Sequence, residues 1–288
     1  MTETFRCPVC HNSARQPWLV CRDYTTSQED FQLQRCSVCG LIATHPAPTD
    51  SELPRYYQSE DYISHTGGSK KLMDVAYRWV RERNIRWKEK TLRQFSSATS
   101  LLDYGCGTGE LIAHCHQSGW RVQGVEPNEK ARTAAAQHGV SVKPDLSPIT
   151  DNFAAVSLWH VLEHVPSPVQ TLADLVTRLE KDGTIFIAVP NCASADAQHY
   201  GPFWAGYDVP RHLWHFQQPT MKQLLTQVGL NLLATVPMKW DAYYVSMLSE
   251  KYKGRNLASL RGFWRGLQSN QRAAASGEYS SLLYIAKK

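Results

Sequence analysis

Ser100-Leu101-Leu102-Asp103-Tyr104-Gly105-Cys106-Gly107-Thr108-Gly109-Glu110 is the stretch on which the fold turns. Residues 100–104 are strand-like and mostly apolar. Three glycines at alternating positions follow, and a helical pattern then runs over Glu110–Ser118. A strand that hands over to a helix through glycines brings the backbone close to a ligand. It also aims the free N–H groups of the helix start at an anion. The dinucleotide fingerprint would need glycine at position 110, where Glu110 stands. Asp103-x-Gly105-x-Gly107-x-Gly109 is therefore a different glycine loop.

Outward from that loop the pattern keeps alternating. Arg121–Glu126 reads as a second strand, and Asn128 caps a helix over Glu129–His138. A third strand ends before Asp145. Phe153–Trp159 and Thr184–Val189 read as the fourth and fifth strands, with a helix over Pro168–Glu180 between them. Thr220–Val228, Asn231–Pro237 and Ser281–Lys287 complete the order. Strand–helix alternation predicts an α/β fold: a Rossmann-like, doubly wound, seven-stranded sheet. Its domain spans residues 96–288, with lid insertions at about 191–218 and 238–278.

The loop has the form that binds S-adenosylmethionine (SAM). Asp103, Gly105, Gly107 and Gly109 would cradle the cofactor, and Glu126 at a strand end would accept both ribose hydroxyls. Asp145 is placed for the adenine amino group, Leu146 for the ring, and His160 for a pocket wall. Taken by itself, Glu126 is also compatible with a solvated strand-end charge.

LLDYGCGTGE, GVEPN and WHVLEHV resemble the motifs of class I SAM-dependent methyltransferases, in the subgroup containing the O-methyltransferases of ubiquinone biosynthesis. Over nearly its whole length the chain is similar to a bacterial group with an N-terminal zinc-binding segment. That likeness rests on DVPRHLWHF at 208–216, DAYYVSMLSEKYK at 241–253 and YSSLLYIAKK at 279–288. Ala154 and Ala155 depart from the family, which usually has Asp after Phe at this point. Metal-dependent relatives carry Glu-x-x-Glu-His where this chain has His160, Glu163 and His164. The resemblance thus implies a second divalent ion there, although a hydrogen-bonding wall is the favoured reading.

Five of the eight cysteines crowd the first 40 residues. Cys7-Pro8-Val9-Cys10 and Cys36-Ser37-Val38-Cys39-Gly40 form two knuckles, the arrangement of a tetrahedral structural zinc site. Cys21 and His11 are alternative ligands, and reduced buried thiols are the plain alternative to metal. Residues 1–45 read as a zinc ribbon with strands over Trp18–Asp23 and Phe31–Arg35. Residues 46–95 read as a helical linker or cap.

For the chemistry, Asn191–Phe216 reads as a long loop without clear secondary structure. Its Phe203, Trp204, Tyr207, Asp208, Arg211, His212, Trp214 and His215 suit an acceptor pocket or a packed lid. In Trp240–Gln271, Tyr243, Tyr244, Ser249 and Tyr252 either line the same pocket or, as the favoured reading, have the spacing of an amphipathic helix buried by its aromatic face. His160, His212 and His215 are the candidate general bases, because imidazole titrates near neutrality.

The net charge of +5 is concentrated in residues 70–93. Leu72, Val75, Ala76 and Trp79 mark a buried face there, which leaves the arginines as its solvated side. An RNA methyltransferase and a sugar C-methyltransferase are the alternative enzymes; a non-catalytic binding partner is the alternative from another class. The expectation is O-methylation of a small molecule or glycan precursor, with no nucleic-acid partner. With no apolar leader and no membrane-spanning run, the chain reads as cytoplasmic. The sequence does not set the oligomeric state.

Overall fold

The structure, a computed structural model, describes residues 6–49, 51–57 and 71–288, with side chains from residue 80 onward in the helix that begins at Lys71. The elements are β1 (Arg15–Arg22), β2 (Asp30–Cys36), β3 (Ile42–His45), α1 (Lys71–Phe95), β4 (Ser100–Tyr104), α2 (Glu110–Gln117), β5 (Arg121–Val125) and α3 (Glu129–Gln137). There follow β6 (Val142–Lys143), β7 (Phe153–Trp159), α4 (Pro168–Thr177), β8 (Leu179–Pro190), α5 (Ala195–Tyr200) and β9 (Trp214–His215). The chain closes with α6 (Gln218–Gln227), β10 (Asn231–Pro237), α7 (Asp241–Tyr252), α8 (Ala258–Ser276) and β11 (Ser281–Lys287).

Among the described residues, seven strands form one sheet in the order β10-β11-β8-β7-β4-β5-β6. Only β11 runs against its neighbours, pairing antiparallel with both β8 and β10. The order reverses between β4 and β7. The loops leaving these two strands therefore diverge at the carboxyl end of the sheet, where folds of this topology bind their ligands. Alternate side chains supply the two faces. Leu102, Ile187 and Leu282 pack with Leu172 of α4 and Leu224 of α6. Leu101, Phe186 and Leu283 pack with Leu92 of α1 and Ile112 of α2.

At the family departure, Ala154 and Ala155 are fully buried. The Ser100 hydroxyl accepts from Ala154 N at 2.8 Å and donates to Glu180 at 3.2 Å, so another side chain supports the strand start. The helix expected to reach Glu180 stops at Thr177, and Leu179 already pairs with Phe153. A register shift between Phe153 and Ala155 absorbs the polar tract around Gly183, which has no helix to belong to.

The stretch 191–216 is more ordered than a loop without secondary structure. It contains α5, two short 3-10 turns and β9. Strand β9 completes an antiparallel sheet, β1-β2-β3-β9, through Ile42 opposite His215 and Ala43 opposite Trp214. The N-terminal ribbon and the lid are thus one sheet.

Residues 238–278 form a helical hairpin that is not packed by an aromatic face: on α7 the buried residues are Ala242, Ser246, Ser249 and Glu250, while Tyr244 is exposed. Gly262, Gly266, Ser269 and Ala273 are the buried residues of α8. A Cβ on Gly262 would fall 2.4 Å from Met247 Cα, and one on Gly266 2.7 Å from Tyr243 Cα. Small residues let the two backbones meet and leave the large side chains outside.

Helix α1 is a single 25-residue helix. Arg81 pairs with Glu110, Arg86 with Glu82 and Arg93 with Glu89. The side chains of Leu72, Val75, Ala76 and Trp79 lie outside those described.

Candidate active site

The glycine loop begins where β4 ends, and its conformation explains its residues. Gly105, Gly107 and Gly109 all have positive φ, at 74°, 54° and 77°. Added Cβ atoms would fall 2.5 Å from Val161 at Gly105 and 2.7 Å from Ala135 at Gly109, so these two glycines serve packing. At Gly107 a Cβ would meet nothing within 4 Å. That residue faces open space, as a backbone cradle for a ligand must.

Glu126, just past β5, stands against this cradle. Its carboxylate accepts from Gly107 N at 3.0 Å and from Asn128 N at 2.9 Å. Asn128 in turn caps α3 by accepting from Ala131 N. Asp103 is buried and accepts from Ser157 Oγ at 2.5 Å. Burial lifts its pKa to about 6, against the opposing pull of that hydroxyl and of Lys88. Lys88 itself lies over the Trp159 ring, 4.4 Å from its centroid. Asp145 is exposed and bonded to Ser147 N, while Leu146 packs half-buried at the edge of the core.

The turn after β7 is strained at its first residue: His160 has φ of 56°. Its Nε2 lies 3.1 Å from Asp241 Oδ2 at the start of α7, and its Nδ1 lies 3.5 Å from Glu163 Oε1. Burial disfavours the charged ring, but the two carboxylates outweigh it and lift His160 to about 10. Asp241 opens the DAYYVSMLSEKYK stretch but is absent from the expected site residues.

The expected trio of His160, Glu163 and His164 is not the one the fold gathers. His160 turns to Asp241, and His212 takes its place: one ligand atom each from Glu163, His164 and His212 lie within 4.8 Å of one another. Glu163 is buried, and among the described residues neither of its carboxylate oxygens has a well-formed hydrogen bond. His164 Nδ1 is bound to Arg211 O at 3.0 Å and His212 Nδ1 to Gly206 O at 2.9 Å. Burial, helped by His212, pushes His164 down to about 4.

His215 is held elsewhere. Its Nε2 meets Thr44 Oγ1 of β3 at 3.0 Å, and burial pushes its pKa down to about 3. That environment is an interface between strands, and so weak a base suits a structural contact.

The four cysteines expected to act together do converge. The Sγ atoms of Cys7, Cys10, Cys36 and Cys39 lie within 4.8 Å of one another. The two knuckles repeat one geometry: His11 N bonds to Cys7 O and Gly40 N to Cys36 O, with φ of 59° and 78° after the second thiol. Cys21 is buried in a separate cluster with Phe31 and Leu33, and His11 contacts Gln227 instead. Burial raises the Cys36 thiol, but the N–H groups of Cys39 and Val38 outweigh it and bring it to about 7.

A family profile described as "Methyltransferase domain" matches residues 77–235, more than half of the chain, and the chain belongs to that family. Curated relatives named ubiquinone biosynthesis O-methyltransferase include one from Actinobacillus pleuropneumoniae serotype 5b, 30% identical over 106 residues. Another, from Thiobacillus denitrificans, is 28% identical over 144 residues. The aligned parts cover 32% and 42% of this chain, and 45% and 61% of those relatives. Among solved structures, magnesium protoporphyrin IX methyltransferase from Synechocystis PCC 6803 with bound SAH has a TM-score of 0.54 at 13% identity. It covers 83% of this chain and 100% of that one. A putative sarcosine dimethylglycine methyltransferase from Galdieria sulphuraria has a TM-score of 0.52 at 15% identity, covering 73% and 87%. These likenesses establish the fold. Among the described residues no helix is long and apolar enough to cross a membrane.

Proposed function

We propose that the chain is a SAM-dependent methyltransferase acting on a hydroxyl of a small molecule or glycan precursor. The observation that carries the reading is Gly107, whose Cβ side is open while its N–H donates to the carboxylate of Glu126. When bound, SAM would supply an electrophilic methyl group on a sulfonium. Glu126 would exchange its backbone partners for the ribose hydroxyls, and the start of α2 would hold the carboxylate of the methionyl part. Asp103, Asp145 and Leu146 would complete the pocket, with His160 at its wall.

Transfer needs the acceptor aligned within contact distance and its proton removed. His160, held protonated near neutrality by its two carboxylates, would orient the acceptor beside Asp241 where β7 and α7 meet, and His212 is the proposed proton acceptor. His212 also supports the second reading below, and His215 is assigned to packing. A SAM titration by calorimetry, followed by a screen of acceptor pools for SAM turnover, tests the whole proposal. No SAM binding would end it.

Zinc at Cys7, Cys10, Cys36 and Cys39 is the structural part of the reading. Four thiols at one point, with no other donor demanded, suit a closed tetrahedral ion. A second reading adds a divalent ion on Glu163, His164 and His212. It is favoured by the unsatisfied Glu163 carboxylate and by carbonyl partners on both Nδ1 atoms, which leave each Nε2 for a metal. Titration of the native protein with Mg2+, Mn2+ and Zn2+ tests it, and Glu163→Gln should abolish any binding found.

A further inference from the structure

Helix α8 is amphipathic in an unusual sense, because its buried stripe is small and its outer face is large. Opposite Gly262, Gly266, Ser269 and Ala273 lie Leu260 and Trp264, 57% and 55% exposed, and Leu257, just before the helix, is 72% exposed. Phe263, 49% exposed, flanks them on one side, and Arg261, Arg265 and Arg272 lie on the other. Large apolar side chains at this spacing on a soluble surface mark an interaction site. The face also continues toward the candidate active site. Trp264 meets Phe263, Phe263 stacks on Tyr243 at 5.2 Å, and Tyr243 meets Trp240. Trp240 itself is 56% exposed, and it precedes Asp241, the partner of His160.

Charge decides what covers this face. Residues 251–277 carry Lys251, Lys253, Arg255, Arg261, Arg265 and Arg272 and no acidic residue. A second copy would set these cations against their own kind, which is repulsive. A surface of anionic headgroups over acyl chains satisfies both halves, the arginines at the headgroups and Leu257, Leu260, Phe263 and Trp264 at the acyl boundary. We propose that the α7–α8 hairpin docks on an anionic phospholipid bilayer, lying on it without crossing it.

The test is co-sedimentation of the full chain with vesicles. Phosphatidylglycerol mixed with phosphatidylcholine should bind about tenfold or more tightly than phosphatidylcholine alone, and the difference should fall with salt. Leu260→Glu with Trp264→Glu should lose binding to both vesicle types. Arg261→Glu with Arg265→Glu should lose only the preference for the anionic vesicles. All four side chains are exposed, so unchanged thermal transitions should accompany these losses. Equal or absent binding to the two vesicle types would overturn the proposal. So would a dimer seen by light scattering that Leu260→Glu with Trp264→Glu disperses, because the face would then belong to a second copy.

Discussion

Arg211 Nη2 lies 3.0 Å from Asp23 Oδ1, although 188 positions separate the two residues, and both side chains are buried. The guanidinium also binds Asp208 and the carbonyl of Tyr56, so one side chain joins the ribbon, the turn after it and the lid. Asp23→Ala should leave a buried cation with half its counter-charge. The expected loss is about 3–5 kcal/mol in urea unfolding, the range for breaking one side of a buried pair. A loss below about 1 kcal/mol would place the pair in solvent-like surroundings.

Gly107→Val should fill the open side of the cradle, and Glu126→Ala should remove the ribose acceptor. Each should weaken SAM binding in calorimetry by about tenfold or more, in line with a lost hydrogen bond to a charged group. Circular dichroism should stay unchanged in Glu126→Ala, because Glu126 is only half-buried, whereas Gly107→Val also strains the loop at its φ of 54°, so Glu126→Ala is the cleaner test. Unaltered affinity in both variants would remove the assignment of the loop.

Metal analysis should return about one tightly held zinc per chain, the capacity of one tetrahedral four-thiolate site. Cys36→Ser should release it and expose amides of β2 and β3 to hydrogen exchange. Cys21→Ser, outside the thiol cluster, should leave the metal in place.

Acid stability should report on His215. Its folded pKa is depressed to about 3 from an ordinary 6.5. Its contribution is therefore present above about pH 6.5 and is lost as pH falls towards 3. Across that window the slope should be about 1.4 kcal/mol per pH unit. His215→Gln should flatten the slope between about pH 6 and about pH 4 in denaturant titrations. An unchanged slope would mean that the imidazole is not buried neutral.

The arginines of α1 separate small-molecule from RNA chemistry. Arg81 and Arg86 already face Glu110 and Glu82. Reversing both to Glu should leave RNA affinity absent and SAM affinity within a few-fold of the native value, because exposed pairs contribute only about 0–1 kcal/mol. Tight, salt-sensitive RNA binding lost in that variant would favour the other substrate class.

Strands β4, β7, β10 and β11 were legible because apolar runs bounded by glycine, proline or asparagine declare themselves locally. The thiol knuckles were legible for the same reason. What escaped was non-local. Asp241 reaches His160 only because the hairpin folds back over β7, and no spacing signals that. His212 joins Glu163 and His164 for a similar reason. Strand β9 is two residues long and exists only through its partner β3. Helix α8 did carry a signal, in Gly262, Gly266, Ser269 and Ala273 at four- and three-residue steps. The aromatic residues nearby outweigh it in the sequence pattern, since size normally goes with burial. The six cations of residues 251–277, three of them on α8, are hidden in the net charge by acids elsewhere in the chain.

The pairing of Ile42 with His215 also has a history within each molecule's synthesis. The first three strands of the ribbon leave the ribosome long before β9 does. At about 5–20 residues per second the interval is on the order of ten to thirty seconds. Throughout it, the outer edge of β3 offers unpaired N–H and C=O groups to any other extended chain. A nascent chain would be safest if that edge were held until residue 215 arrived. The lid strand is therefore also a late-arriving seal on the earliest part of the fold.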